Sequence, residues 1–178
     1  MGQEWAATTP FLFFSDHHGE LGTRVSQGRR QEFQHFLAFR DAPPEAIPDP
    51  QDHATFERSK LSWAERERPE HHATLELYRR ALELRRTDPV LSASSELNTG
   101  IVDGVLWVLR RGLAGGRLLL FNPSSESRSL PEVAGRSALD ATLLLSTHPS
   151  QLSPHTFEAP PASASLFALD ERASQRSA

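Results

Sequence analysis

The sequence predicts a mixed fold, in which a helical part comes first and an antiparallel β part follows. Three observations carry this prediction. Residues 1–68 are rich in Trp and Phe and are interrupted by proline. Residues 69–88 carry apolar side chains at helical spacing, and from about Leu91 onward short apolar runs alternate with turn signals. Helical segments followed by frequent short strands are typical of two differently built parts.

A helix is predicted over about Glu20–Phe39. Phe33, Phe36 and Leu37 are spaced i, i+3 and i+4, as one face of a helix requires. The four prolines between residues 43 and 50 exclude helix after it, because each removes a backbone donor and restricts its predecessor. We expect a long structured loop there, ordered by the aromatic side chains around it.

The clearest predicted element is a helix over residues 69–88. Leu75, Tyr78 and Leu82 follow one another at helical spacing and form an apolar stripe. Several arginines stand toward its C-terminal end, where positive charge complements the helix dipole. Pro89 then ends the helix.

Short strands are predicted for the remainder of the chain. A hairpin is expected where Val105–Leu109 and Arg117–Phe121 flank a glycine-rich turn at residues 112–116. Further candidate strands share a short apolar pattern bounded by proline: Ser127–Leu130, Ala141–Ser146 and Ser163–Leu169. Strands this short and frequent favour an antiparallel sandwich. The tail, residues 172–178, is predicted to be disordered.

Composition excludes several classes of function. The 178 residues carry a net charge of −4, which leaves no basic footprint for nucleic acid. The absence of cysteine excludes disulfide scaffolds, thiolate metal sites and cysteine nucleophiles. No apolar run approaches the roughly 20 residues of a membrane-spanning helix, and no signal peptide is visible, so a cytoplasmic location is expected.

No metal ion or cofactor is predicted. The 8 histidines include two adjacent pairs, at 17–18 and 71–72, whose members point in different directions on a helix or strand. No zinc-binding spacing of histidines occurs. The glycines between residues 112 and 116 lack the Lys-Ser/Thr of a phosphate-binding loop and are interpreted as a turn.

The opening residues combine aromatic rings with carboxylates and an amide. Met1-Gly2-Gln3-Glu4-Trp5 precedes a second segment, Pro10 to His17, that contains three phenylalanines and Asp16. A pyranose ring needs a flat apolar surface and fixed hydrogen-bonding groups, which these residue types supply. The same aromatic residues also fit a hydrophobic core. Glu4 and Asp16 could also form a catalytic pair, but any chain rich in Asp and Glu offers many such pairs.

Three segments resemble the malto-oligosyltrehalose trehalohydrolases, which are α-amylase-type glycoside hydrolases. They are residues 1–17, residues 47–63 and residues 77–89. Ser15 stands where the family typically has Thr, Ser62 stands where it has Asp before Trp, and His53 stands where Pro is common. The resemblance is specific over about residues 1–90. Over residues 91–178 it rests only on the position of the segment in the chain and on its pattern of short apolar runs and turns.

The resemblance implies a fold and a domain division. Residues 1–90 would be the C-terminal end of a (β/α)8 barrel, residues 91–171 an antiparallel β-sandwich C-terminal domain, and residues 172–178 a disordered tail. It also implies hydrolysis of the α-1,4 bond that releases trehalose from a maltooligosaccharide. The expected mechanism retains configuration, with two carboxylates about 5–5.5 Å apart.

The resemblance also implies which residues touch substrate. The family's catalytic carboxylates follow earlier barrel strands, so all of them would precede Met1, and no catalytic residue is expected in this chain. The chain would then need the missing N-terminal barrel segment as its partner and would be inactive alone. The expected sugar contacts are Gln3, Glu4, Trp5, Asp16 and His17. Arg58 and Lys60 are further candidates, or else they form ion pairs with nearby glutamates.

A second hypothesis places the function in the β region. It would be a carbohydrate-binding or interaction module built from about Leu91 onward, and exposed aromatic residues on a sheet face would distinguish it. The available aromatics are Trp107, Phe121, Phe157 and Phe167. Most of them stand within apolar strands, which favours a core position.

Overall fold

The computed structural model of the chain describes residues 1–36, 43, 46–93, 96–148, 153 and 155–169. The chain divides into two compact units, Met1–Leu75 and Glu76–Ala178. The division falls inside a helix, and the domain boundary expected between residues 90 and 91 stays a prediction. Leu37, the end of the helix predicted to reach Phe39, and the tail from residue 172 lie outside the described residues.

The helices of the described residues are short, apart from two. Their bounds are α1 Gly19–Gln34, α2 His53–Arg58, α3 Pro69–Thr87 and α4 Pro89–Ser92, with 3-10 helices at Gln3–Trp5, Trp63–Glu67 and Ala138–Asp140. Across the described ranges, no helix is both long and apolar enough to cross a bilayer. The cytoplasmic location stays a prediction.

Helix α1 is shorter than the sequence predicts. It ends at Gln34, where the N–H of His35 turns back onto the carbonyls of Glu32 and Phe33. Phe36 therefore lies beyond the helix, exposed, with its ring 5.4 Å from that of Phe33. The prediction of Phe36 on the apolar face of the helix was wrong. A turn brings side chains three residues apart together as well as a helix does, so the spacing alone could not separate the two.

The predicted long loop contains helical structure. Asp52 caps α2, because its side-chain oxygen accepts a hydrogen bond from the N–H of Ala54 at 2.9 Å. The 3-10 helix Trp63–Glu67 follows. The prediction of loop throughout this region was therefore wrong. Elements of five or six residues are too short to show a hydrophobic period, so only the capping residue could have revealed α2.

Helix α3 confirms the clearest prediction, with the expected start at Pro69 and an end at Thr87. Its apolar stripe is only partly covered. Tyr78 and Leu82 of the stripe are 38% and 60% exposed, whereas Leu84, which lies outside the three residues that defined it, is buried. The helical spacing of apolar residues thus predicted the helix correctly, but it did not predict how deeply the apolar stripe is buried.

The second unit is dominated by antiparallel strands. Their bounds are β1 Glu96–Val102, β2 Val105–Gly112, β3 Gly115–Asn122, β4 Arg128–Leu130, β5 Glu132–Val133, β6 Arg136–Ser137, β7 Ala141–Ser146, β8 Phe157–Ala159 and β9 Ser163–Leu169. The main sheet of the described residues has the order β1-β2-β3-β9-β7, and the pairs β4-β8 and β5-β6 form two smaller sheets. Strand β9, the last strand of the described residues, lies inside the main sheet between β3 and β7.

The predicted hairpin is confirmed as β2 and β3. Its turn is tighter than expected, because Gly112 pairs directly with Gly115 and only two residues separate the strands. A second hairpin joins β1 to β2 and was missed by sequence reasoning. Asp103 and Gly104 form its turn with φ of 47° and 77°, the left-handed conformation that a two-residue type I′ turn requires.

The hydrophobic core of the described residues lies on one face of the main sheet. Alternate residues of β2 and β3 point into it, including Val105, Leu109 and Leu118, all fully buried. Phe157 of β8 meets Phe167 of β9 edge to face, with ring centroids 5.2 Å apart. Because side chains alternate along a strand, this single core face fixes the register of the sheet.

Candidate substrate site

The opening motif forms a tight turn that requires glycine. The carbonyl of Gly2 accepts hydrogen bonds from the N–H groups of Trp5 and Ala7, at 3.3 and 2.9 Å. Gly2 has φ of 79°, and a Cβ there would stand 2.6 Å from the Cβ of Ala7 and 2.8 Å from a methyl of Leu61. A side chain at this position would therefore overlap its neighbours, which is why the turn requires glycine.

Trp5 is held inside the first unit. It is 6% exposed, and its ring lies against that of Trp63 with centroids 5.2 Å apart. Its carbonyl accepts a hydrogen bond at 2.8 Å from Nδ1 of the buried His71, which must carry the proton because a carbonyl oxygen cannot donate. The indole N–H of Trp5 is buried with no partner among the described residues. Of the two interpretations of the aromatic residues, the core position describes Trp5.

A buried carboxylate fixes the chain just after this turn. The N–H of Thr8 donates to Glu65 at 3.2 Å, and the Thr8 hydroxyl donates to the same carboxylate. These hydrogen bonds, the hydroxyl first, lower the pKa of Glu65 against the opposing effect of burial. Glu65 is therefore ionised at neutral pH and holds the opening segment to the 3-10 helix Trp63–Glu67. Gln3 is exposed and Glu4 is half-buried on the turn that this arrangement supports.

Asp16 lines a cavity that we call the Asp16 cavity. Its volume is about 460 Å³, and its walls come from two segments of the first unit: Phe14, Ser15 and Asp16 from one, and Pro50, Gln51, Asp52, His53 and Phe56 from the other. The rings of Phe14 and Phe56 meet edge to face with centroids 5.2 Å apart. The cavity therefore combines an aromatic wall with two carboxylates.

Gln51 joins the two walls of the Asp16 cavity. Its Nε2 donates to the hydroxyl oxygen of Ser15 at 2.7 Å, and its Oε1 accepts from the N–H of His17 at 2.9 Å. A backbone hydrogen bond of 2.8 Å from Ser15 to Pro50 runs beside them. His17 thus joins the site through its backbone, while its side chain is exposed. Sequence reasoning did not assign Gln51, because its partners lie more than thirty residues away in the chain.

Asp49 anchors the second wall to α1. Its carboxylate accepts hydrogen bonds from the Ser26 hydroxyl at 2.6 Å, the Gln51 N–H at 3.0 Å and the Arg30 guanidinium at 3.0 Å. The Ser26 hydrogen bond is the main reason that the pKa of Asp49 is lowered. An ionised Asp49 therefore fixes the backbone that carries Gln51.

The two basic candidates differ in their surroundings. Lys60 pairs with Glu57 at 2.7 Å, and its ammonium lies 4.9 Å from the ring centroid of Phe56. Arg58 is exposed and has no ion pair or hydrogen bond among the described residues. It borders two further cavities, one of about 330 Å³ beside Arg30 and one of about 390 Å³ beside Phe13. The geometry thus supports the ion-pair interpretation for Lys60 and leaves Arg58 available to a ligand.

The candidate residues fall into separate groups. Asp16 and His17 come together around Gln51, and Lys60 lies over Phe56, which also lines the Asp16 cavity. Gln3, Glu4 and Trp5 share the opening turn and do not line this cavity. Within the described ranges, no three His, Asp or Glu side chains are grouped as metal ligands would be.

The aromatic residues of the β region are mostly internal. Phe157 and Phe167 are fully buried, Trp107 is half-buried, and Phe121 is 41% exposed. Gly100 of β1 pairs with Trp107, and a Cβ there would lie 2.4 Å from the indole ring, so Trp107 covers β1. The hypothesis of a separate binding module in this region therefore has two partly exposed aromatic side chains to build on, Trp107 and Phe121.

Comparison with known proteins identifies the relatives of the chain. No family model matches it. It is 51% identical over 148 residues, 82% of the chain, to the malto-oligosyltrehalose trehalohydrolase of Deinococcus radiodurans. The chain is a relative of the malto-oligosyltrehalose trehalohydrolases. The Rhizobium sp. trehalohydrolase is 39% identical over 133 residues, 73% of the chain. The chain spans about a quarter of the length of these trehalohydrolases, 24% and 21% respectively.

Solved structures place this trehalohydrolase relative among α-amylase-type glycoside hydrolases. A candidate α-amylase of Salmonella typhimurium is 31% identical with a TM-score of 0.68, over 94% of this chain and 27% of that protein. The trehalose-6-phosphate hydrolase of Bacillus licheniformis has a TM-score of 0.56 over 96% of this chain and 35% of its own. Its 14% identity supports a shared fold alone.

Proposed function

We propose that this chain forms one part of a malto-oligosyltrehalose trehalohydrolase, which hydrolyses the α-1,4 bond that releases trehalose from maltooligosyltrehalose. The observation that carries the proposal is the 51% identity to the Deinococcus radiodurans trehalohydrolase over 148 residues. In this proposal residues 1–90 form the end of a (β/α)8 barrel, and residues 91–171 form a β-sandwich. The antiparallel strands of the second unit, with one buried sheet face, support the sandwich.

The catalytic carboxylates of the proposed enzyme come from a polypeptide segment outside the matched region. A retaining glycosidase needs a general acid whose pKa is raised. The described carboxylates with a shifted pKa, Asp49, Glu57, Glu65 and Asp88, are all lowered. Each of them accepts hydrogen bonds from structural partners, which makes it a poor proton donor. These four carboxylates are therefore assigned to holding the structure together.

The binding role is assigned to side chains of the first unit. Gln3 and Glu4 offer an amide and a carboxylate to sugar hydroxyls, and Trp5 fixes their turn through Trp63 and His71. Asp16 lines the Asp16 cavity and Arg58 lines a neighbouring cavity. His17 and Lys60, which adjoin the Asp16 cavity through Gln51 and Phe56, are further contacts. The substrate is a maltooligosaccharide that ends in a trehalose unit, and the protein partner is the barrel segment that carries the catalytic groups.

A segment exchange tests the function. The segment of the Deinococcus radiodurans trehalohydrolase that this chain matches is replaced by this chain, and trehalose release from maltooligosyltrehalose is measured. We expect the chimera to retain trehalose release, because half of the residues are identical. A chimera that folds, by circular dichroism and thermal melting, and releases no trehalose would contradict the proposal.

The opening turn is tested within the same chimera. Glu4→Gln removes a charged acceptor for sugar hydroxyls and should lower kcat/KM by about tenfold, the usual effect of losing one charged hydrogen bond. Glu67→Gln is the matched control, since Glu67 is an exposed glutamate outside the described cavities. Equal kcat/KM in both variants would remove Glu4 from the substrate site.

A further inference from the structure

The Asp16 cavity has the size and lining of a small-molecule site. Its volume of about 460 Å³ lies within the ~300–1,000 Å³ that is typical of ligand pockets. Phe14 and Phe56 provide an apolar wall, and Phe56 is exposed enough to be reached by a ligand. Aromatic rings of this kind pack against the C–H face of a sugar ring.

Two carboxylates in the cavity have free acceptor capacity. Asp16 is exposed and has no partner among the described residues. Asp52 uses one oxygen, Oδ1, to cap α2, which leaves its second oxygen available. Carboxylates accept hydrogen bonds from neutral hydroxyls and repel phosphate or carboxylate ligands. The lining therefore selects a neutral ligand that has several hydroxyl donors and one apolar face.

The cavity is rigid because both walls are tied together. The hydrogen bonds of Gln51 to Ser15 and His17, and that of Ser15 to Pro50, cross between the two wall segments. Asp49 then holds the second wall to α1. A cavity that exists before binding requires little ordering of side chains, and that lowers the free-energy cost of binding a weakly held ligand.

We propose that the Asp16 cavity binds one glucosyl unit of an α-1,4-glucan. The sugar ring packs on Phe14 and Phe56, and its hydroxyls donate to Asp16 and Asp52. Gln51 is a positioning residue that fixes the distance between the walls. This inference rests on the proposed function for the identity of the sugar, and it adds a defined subsite to it.

Titration of the full 178-residue chain with maltotriose, followed by amide NMR, tests the subsite. We expect saturable shifts of the amides of residues 14–17 and 50–56. Asp16→Asn should raise the Kd about tenfold, because it removes a charged acceptor. Phe56→Leu keeps the apolar volume but loses the flat ring, and it should raise the Kd about fivefold.

Matched controls lie outside the cavity. Asp103→Asn makes the same Asp-to-Asn change in a hairpin turn of the second unit. Phe121→Leu makes the same Phe-to-Leu change at a ring of β3 in the second unit, which is 41% exposed and so resembles Phe56 at 38%. Both should leave the Kd unchanged. Asp16 is exposed, so Asp16→Asn should also keep the spectrum of the remaining residues.

Several outcomes would overturn the subsite. They are no maltotriose binding by the unsubstituted chain, an unchanged Kd in both cavity variants, or shifts of the same amides with calcium ions alone and none with maltotriose. The segment exchange separates the two proposals. Trehalose release by the chimera together with any of these outcomes removes the subsite only, whereas maltotriose binding by the chain with a folded but inactive chimera removes the trehalohydrolase function only.

Discussion

Phenylalanine and tryptophan side chains have different fates in the two units of the chain. In the first unit Phe11, Phe13 and Trp63 are 67%, 49% and 58% exposed, whereas in the second Phe157 and Phe167 are fully buried. In the first unit, hydrogen bonds to the ionised carboxylates of Glu65 and Asp49 join segments that are distant in the chain. The second has a contiguous apolar core beneath its main sheet.

This difference shows that aromatic content does not predict a core. A large exposed apolar surface is typical of a surface that binds something else, either a ligand or another polypeptide. The first unit carries both such surface and the candidate substrate residues. The second unit uses its rings for stability. Four predictions test this contrast, beginning with the largest expected effect.

Truncation of a ring should have opposite consequences in the two units. Phe167→Ala should lower the free energy of unfolding of the second unit by about 3–5 kcal/mol, because it leaves a cavity in a close-packed core. Phe11→Ala should change stability by no more than about 0.5 kcal/mol, since the ring is exposed. Urea titrations followed by amide NMR report each unit separately. A cost at Phe11 close to that at Phe167 would break the contrast.

The second unit also depends on one buried ion pair. Asp88 caps α4 and lies 2.7 Å from Nε of Arg117 on β3, with both side chains almost fully buried. Asp88→Asn should cost about 3 kcal/mol of unfolding free energy, at the lower end for a broken buried pair because Asn still caps the helix. Glu83→Gln, in an exposed pair with Arg80, should cost about 0.5 kcal/mol or less. Similar urea midpoints for both variants would show that Arg117 can stay buried without a charged partner, which would contradict this prediction.

The opening turn of the first unit depends on the absence of a side chain. Gly2→Ala should cost about 2 kcal/mol, because it combines a positive φ with a Cβ that overlaps Ala7. Gly28→Ala in α1 is the control, since open space surrounds it, and it should stabilise the unit by about 0.5–1 kcal/mol. Thermal unfolding followed by the fluorescence of Trp5 and Trp63 checks both. An unchanged melting temperature in Gly2→Ala would mean that the turn adjusts to accommodate the Cβ, and it would contradict this prediction.

Acid should weaken the first unit through its ionised carboxylates. The pKa values of Asp49 and Glu65 are lowered from their ordinary 3.8 and 4.5, so these groups stabilise the folded unit fully above those values. The contribution is lost as the pH falls through the lowered folded pKa. We expect the melting temperature of the unit to decline below about pH 4.5 and to level off above it.

Thr8→Val gives the matched comparison for this pH dependence. It removes the hydroxyl that donates to Glu65 and should flatten the acid decline. Thr74→Val makes the same change at a hydroxyl that donates to a backbone carbonyl and should leave the decline unchanged. An identical pH profile in all three proteins would assign the acid sensitivity to other groups.

Much of the fold could be predicted from local patterns. Helix α3, the β2-β3 hairpin and strand β9 each have a clear period or turn signal within about ten residues. Short elements could not be predicted in this way, and α2 was missed because its six residues are too few to show a period. Strand β1 was not predicted because the Asp103-Gly104 turn that follows it was not recognised as a hairpin signal.

The candidate site was predictable in part. The opening motif and Asp16 were identified from residue types and from resemblance, and their roles stay proposals. Gln51, Asp52 and Phe56 were not assigned, because their importance depends on partners from a segment more than thirty residues away. Lys60 and Arg58 look alike in the sequence, and only their surroundings separate a paired side chain from an available one.

The sequence by itself determined the kinship with trehalohydrolases, the regular helix α3 and the antiparallel character of the second unit. These properties depend on residue identity and on spacing along the chain, which are local. Tertiary structure alone decided which aromatic rings are buried, how Gln51 joins two segments, and that Asp88 meets Arg117, 29 positions further along the chain. Burial and pairing depend on distance in space, which no local period records.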